Sequence, residues 1–196
     1  MQINIDKKSG IFIGIIAALL IIIMALAMPG RLGEGMKGHE RNGSADLTGA
    51  DIMFLQMMIP HHQQAVDISD LALTKSSDAE LLALAKAIRD AQASEIITMK
   101  AWLKNADADL EMDHSMGHDM GGMLSDSELA ALKNATGKSF DVLWLKGMTG
   151  HHDGALHMTI MIEDATNLEI KSFGQAIVSS QSAQITQMAA MLKRLG

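Results

Sequence analysis

The sequence predicts an all-α fold: a four-helix bundle made of two repeated helical hairpins, preceded by an apolar N-terminal helix. Three observations carry this reading. The stretch Phe54-Leu-Gln-Met-Met-Ile-Pro-His-His-Gln-Gln-Ala65 returns ninety residues later as Trp144-Leu-Lys-Gly-Met-Thr-Gly-His-His-Asp-Gly-Ala155. Apolar residues recur every three and four positions through four long segments, the period of one helix face. Hydrophobic residues make up 48% of the 196-residue chain but aromatics only 3%, with no tyrosine and two prolines. Such a core is aliphatic and methionine-based, which suits packed helices better than sheets.

The first element is the apolar run Ile11–Met28, which follows Lys7 and Lys8 and is interrupted only by Gly14. Its length is near the lower limit for a membrane span and long for a signal-peptide core. Ala25-Leu-Ala27 resembles a small-residue cleavage site. Residues 1–28 are therefore expected to be a transmembrane anchor or a signal peptide. The rest is expected to be exported: held at the membrane by the N-terminal helix and facing the periplasm or extracellular side, or secreted if cleaved after Ala27. Residues 29–45 are rich in glycine and charge and read as a flexible tether.

Residues 46–196 hold the bundle, with repeat one over 46–105, a Met/His-rich linker over 106–124 and repeat two over 125–196. Helix one is expected from Thr48, with Asp51 as a first-turn acid. Its inward stripe is Leu55, Met58, His62, Ala65, Ser69, Ala72. Pro60 cannot donate to Gln56 and predicts a weak point, which Gly150 matches in the second copy. Ser77-Asp-Ala-Glu80 predicts a capping box for helix two. That helix's stripe is Leu81, Ala85, Ile88, Gln92, Glu95, Met99, Trp102. Ser125-Asp-Ser-Glu128 predicts a short helix that Gly137 ends. Helix three is expected from Ser139 to Asp164, with stripe Leu145, Met148, His152, Ala155, Thr159, Ile162. Asn167 caps helix four, whose stripe is Ile170, Gly174, Ile177, Gln181, Gln184, Met188, Met191. Gln92, Glu95 and Met99 match Gln181, Gln184 and Met188. Two hairpins with matching stripes bury their apolar faces against each other, so the expected architecture is ferritin-like with one crossover.

Composition excludes several function classes. A net charge of −7 argues against nucleic acid as a partner, because phosphate binding needs a basic surface. Without cysteine there are no disulfides, thiolate metal sites or cysteine nucleophiles. What remains is imidazole and thioether. His62 and His152 lie on the inward stripes, one turn after Met58 and Met148. His61 and His151 sit about 100° around the helix from them, toward neighbouring helices. Gln92, Glu95, Gln181 and Gln184 are their polar complement, serving as hydrogen-bond partners or additional ligands. Met99 and Met188 are further thioether candidates. The linker carries His114, Met116, His118 and Met120 within Met112–Met123, a pattern of an open soft-metal tract.

This donor set favours copper, as Cu(I) or Cu(II), over magnesium, calcium or manganese. Zinc would take the histidines but gains nothing from methionine. A di-iron site in such a bundle wants about four inward glutamates and two Glu-x-x-His motifs. Glu95 is the sole inward carboxylate of these stripes, and no catalytic constellation is evident. Three readings stay open: copper binding, with a copper donor or acceptor protein as a further partner; a metal-dependent redox enzyme on the same bundle; and a metal-free envelope scaffold whose polar seam fixes helix register. The apolar faces are consumed within one bundle, and the oligomeric state is left unassigned.

At these motifs the sequence resembles the domain-of-unknown-function 305 family. The resemblance rests on Phe54-Leu-x-x-Met-Ile-Pro-His-His-x-x-Ala65, on Gln92-x-x-Glu95-Ile-x-x-Met-x-x-Trp-Leu103, and on Met148-x-x-His-His-x-Gly-Ala155. It covers roughly Asp46 to Leu195. It implies a ferritin-like bundle and, through exported members of the CopM type, copper binding at the paired histidines and neighbouring methionines. The two halves differ: Gln184 replaces Glu95 and Met191 stands opposite Trp102.

Overall fold

The computed structural model describes residues 46–111 and 121–196. The expected anchor or signal peptide (1–28), the tether (29–45) and the linker residues His114, Met116, His118 and Met120 lie outside them. Five helices and one 3-10 turn make up the described part: α1 (Gly49–Lys75), α2 (Ala79–Asn105), α3 (Asp126–Asn134), α4 (Gly137–Met158), the 3-10 turn Thr159–Ile162 and α5 (Leu168–Leu195). Among the described residues no helix is long and apolar enough to cross a membrane.

Capping chemistry sets most helix boundaries. The Thr48 hydroxyl accepts from the Asp51 N–H at 3.2 Å, and the Asp51 carboxylate accepts from the Thr48 N–H at 2.8 Å, a capping box. The cap of α2 is Asp78 rather than Ser77. Its carboxylate accepts from both Glu80 and Leu81 N–H groups, satisfying two orphan donors with one charged acceptor. Ser125 and Glu128 form the expected box on α3. That helix stops at Asn134, and Gly137, at φ 55°, opens α4 instead of ending α3. The expected helix to Asp164 gives up α geometry at Met158. There the Thr159 hydroxyl donates back to the Leu156 carbonyl, and the last turn tightens to 3-10 geometry as far as Ile162. Asn167 caps α5 through the N–H groups of Glu169 and Ile170.

Four helices pack as a ferritin-like bundle in which every neighbour is antiparallel. Short connections make α1/α2 and α4/α5 hairpins. Trp144, early in α4, donates its indole N–H to the carbonyl of Ile68, late in α1, at 3.0 Å. The edge of Trp102 meets Phe173 with ring centroids 5.1 Å apart, joining the end of α2 to the start of α5. Arg194 closes the opposite end on Asp78 at 2.7 Å. With α1 against α4 and α2 against α5, helices α2 and α4 must run parallel. The long connection over residues 106–136, which carries α3, supplies that crossover.

The core divides in two. One apolar cluster gathers Ile68, Leu81, Ile88, Phe140, Trp144, Met148 and Met188. The other gathers Phe54, Met58, Ile96, Met99, Leu103, Met158 and Ile177. Each fully buried side chain of this size contributes about 1.5–3 kcal/mol relative to exposure. Between the clusters, at mid-bundle, lies a buried polar layer that includes Gln92, Glu95, Gln181, Gln184 and all four paired histidines.

Candidate metal centre

The inward stripes place His62 and His152 as the sequence indicates, with no exposed surface. His61 and His151 are equally buried, for a reason the single stripe per helix does not capture. α1 and α4 each contact both their hairpin partner and one another. Phe54, His61 and Ile68, and likewise Trp144, His151 and Met158, form a second column at seven-residue spacing along this seam, all buried. The His61 and His151 rings stack there with centroids 3.8 Å apart and planes 38° from parallel. Within each pair the centroids are 6.5 Å (His61–His62) and 6.3 Å (His151–His152) apart.

Every one of these rings is oriented by a hydrogen bond from Nε2. His62 donates to the Glu95 carboxylate at 2.8 Å and His152 to the Gln184 side-chain oxygen at 2.6 Å. His151 donates to the backbone carbonyl of His61 at 3.0 Å, and His61 donates to that of Gly121 at 3.3 Å. Carbonyl and carboxylate oxygens only accept, so each neutral ring carries its proton on Nε2 and a lone pair on Nδ1. All four Nδ1 atoms are buried and, among the described residues, without a hydrogen-bond partner. An unpaired buried acceptor is costly, about 1–3 kcal/mol each, so four on one layer call for an explanation.

Burial also keeps the His61, His151 and His152 rings neutral. Desolvation, reinforced by the neighbouring His62, lowers the His61 pKa to about 3 against the opposing bond to Gly121. Desolvation lowers His152 to about 4 despite its bond to Gln184. His151 lies well below the ordinary imidazole value for the same first reason, with His61 adding to it. Neutral imidazole with a free lone pair is the metal-ligating form.

The other expected residues divide. Glu95 and Gln184 are histidine partners. Gln92 is not: among the described residues both its amide atoms lack partners, as does Oε1 of Gln181. Met58, Met99, Met148 and Met188 are fully buried, the first two in one apolar cluster and the last two in the other. The Met188 sulfur accepts from the Thr149 hydroxyl at 3.8 Å. Among the described residues, no three histidine, aspartate or glutamate side chains converge as ligands of one ion. Two imidazoles on one ion, at metal–nitrogen distances of about 2 Å, would also hold their rings farther apart than the 3.8 Å of His61 and His151. The stripes gave no sign of the Gly121 carbonyl or of Gln64, whose amide bonds both backbone groups of Leu124. The glycines Gly147 and Gly154, where the first copy has Met57 and Gln64, are the signal that was legible.

The model of the family described as Domain of unknown function (DUF305) matches residues 51–192. A DUF305 protein from Streptomyces coelicolor is 34% identical in sequence, with TM-score 0.71, over 75% of this chain and 92% of its own. A DUF305 fragment from Deinococcus radiodurans is 28% identical, with TM-score 0.69, over 76% and 99% of the two chains. CopM in its Cu(I)-bound form is 31% identical, with TM-score 0.62, over 74% and 96%. CopM structures in Cu(II)-bound and Ag-bound forms match as well. No curated protein matches the chain.

Proposed function

The chain belongs to the DUF305 family, and from that premise we propose that it is an exported copper-binding protein that sequesters copper or passes it on. The observation that carries this is the set of four unpartnered Nδ1 lone pairs in a buried layer. Metal-ligating histidines nearly always donate their other N–H to a carboxylate or carbonyl, which fixes tautomer and ring orientation. All four rings here have that second bond and lack only the first. Similarity to CopM, whose structures are Cu(I)-, Cu(II)- and Ag-bound, supports copper as the ion.

Each hairpin offers two imidazoles with a methionine one turn away, a donor set that suits a soft ion. Thioethers complete such a set, and Cu(I) takes them readily where zinc does not. In this reading His61 and His62 with Met58 serve one hairpin, and His151 and His152 with Met148 serve the other. In the same reading the stacked His61 and His151 belong to different ligand sets. Glu95 and Gln184 hold the inward rings in place. The linker residues His114, Met116, His118 and Met120 are proposed as an additional, exposed copper site, and the apolar segment 1–28 as the export signal or anchor. No bond-breaking chemistry is assigned.

The test is anaerobic Cu(I) titration against a chromophoric chelator, with three proteins: the full chain, His62→Leu/His152→Leu, and a chain whose linker histidines and methionines are replaced by serine. Tight binding that survives the linker changes and is lost in the double histidine variant supports the bundle as the principal site. Binding that follows the linker alone refutes it. No binding in any of them favours a polar layer that only sets helix register.

A further inference from the structure

One departure from the repeat is a run of glycines along a face of α4. On α4, Gly147, Gly150 and Gly154 stand where α1 has Met57, Pro60 and Gln64. The segment Gly121-Gly-Met-Leu124 lies against this glycine face. A Cβ at Gly154 would stand 1.8 Å from the Gly121 carbonyl oxygen, and one at Gly122 would stand 2.4 Å from that of Gly150. Gly122 also has φ 86°, which side chains rarely adopt. A Cβ at Gly147 would press on the Leu124 side chain at 3.0 Å. On the α1 side, Gln64 clamps the segment with two bonds, accepting from the Leu124 N–H at 2.7 Å and donating to its carbonyl at 3.0 Å. His61 adds a third bond, to Gly121 at 3.3 Å. The segment thus bridges α1 and α4 along the seam where the His61 and His151 rings stack.

We propose that residues 121–124 are a releasable cover over the His61–His151 seam, with Gln64 as its clamp, and that ions reach the buried histidines by this route. The route rests on the copper-binding reading; the cover itself does not. Elsewhere the paired histidines' hydrogen-bond partners, Glu95, Gln184 and the His61 carbonyl, lie on long helices whose opening would cost much of the fold. The cover is held by a few hydrogen bonds to peptide groups and by one buried side chain, Leu124. Its two glycines bury no side chain and regain the most backbone entropy on release. The asymmetry of the repeat follows from it. His151 donates to the His61 carbonyl, while His61, with the cover beside it, donates to Gly121.

The test uses the full-length apo protein and diethyl pyrocarbonate, which modifies accessible unprotonated imidazole, with each histidine followed by peptide mass spectrometry. Gln64→Ala removes two bonds and should raise the modification rates of His61 and His151 about tenfold, with the helical circular dichroism unchanged. Gly154→Ala wedges the cover away and should raise them at least as much; if that variant fails to fold, Gln64→Ala alone decides. Gln63→Ala, which loses only an exposed bond to Asp67, should match the parent protein. Cu(I) uptake measured by stopped flow should accelerate in step with modification. Unchanged modification in Gln64→Ala overturns the cover, whatever copper does. Faster modification in a protein that binds no copper supports the cover and refutes copper as what passes beneath it.

Discussion

Removing Glu95 tests how the polar layer is held together. Its carboxylate accepts from His62 Nε2–H at 2.8 Å, and both groups are almost wholly buried. Glu95→Ala leaves a buried N–H with no acceptor, a loss of about 1–3 kcal/mol before any water enters the space. For a domain of this size that lowers the melting temperature by about 2–4 °C per kcal/mol, or roughly 2–12 °C in all. Glu95→Gln is the informative partner, because Gln184 already does this for His152 at 2.6 Å in the other half. A side-chain amide keeps the acceptor and should recover most of the stability. Copper affinity should follow a different order. Losing the group that orients a ligating imidazole costs about 10–100-fold in affinity, and a neutral acceptor restores only part of it, since charge-assisted bonds are stronger. Urea unfolding of the apo protein and chelator competition of the copper-loaded protein measure the two effects separately. A Glu95→Ala protein that unfolds with the parent and binds copper equally well would refute the claim that this bond orients His62.

Two further outcomes follow from the same layer. His61 and His152 are buried neutral, with pKa values of about 3 and about 4 against an ordinary 6.5. Below pH 6.5 the unfolded chain therefore takes up protons that the folded chain refuses. Stability should be complete above that pH and decline as pH falls toward 4, with His152 alone accounting for on the order of 3 kcal/mol; urea midpoints that stay level from pH 7.5 to 4.5 would contradict this. Met148→Leu conserves volume and should cost under about 1.5 kcal/mol in stability, yet lower Cu(I) affinity more than tenfold while leaving Cu(II) affinity nearly unchanged. Met191→Leu, equally buried but farther along the bundle, should leave both affinities alone in the same competition assay.

Much of the fold was legible because the repeat and the helical period point the same way. Leu55, Met58, His62, Ala65, Ser69 and Ala72 are all buried, as their spacing required, and so are their counterparts on α4 and the 3-10 turn after it. Trp102 is the stripe member that stays half-exposed, packing on Phe173 at the bundle surface. Boundaries were less legible where several residues competed for one role, as Ser77 did with Asp78. The site was half legible. One stripe per helix finds His62 and His152, but α1 and α4 bury a wider arc because each has two neighbours. Hence the stacking of His61 on His151 depends on helix arrangement, not on local period. The Gly121 carbonyl was invisible for a simpler reason: every residue has one, and only the chain path selects which imidazole it meets.

The role proposed for the four Nδ1 lone pairs is to ligate copper. It is tested most directly by 15N NMR of histidine-labelled protein before and after anaerobic addition of Cu(I), which is diamagnetic. The apo spectrum should show the Nε2–H tautomer at His61, His62, His151 and His152. Cu(I) should then shift the Nδ1 resonances of all four histidines while their Nε2–H signals persist. Nδ1 signals that ignore the ion, or binding that moves Nε2 instead, would contradict it.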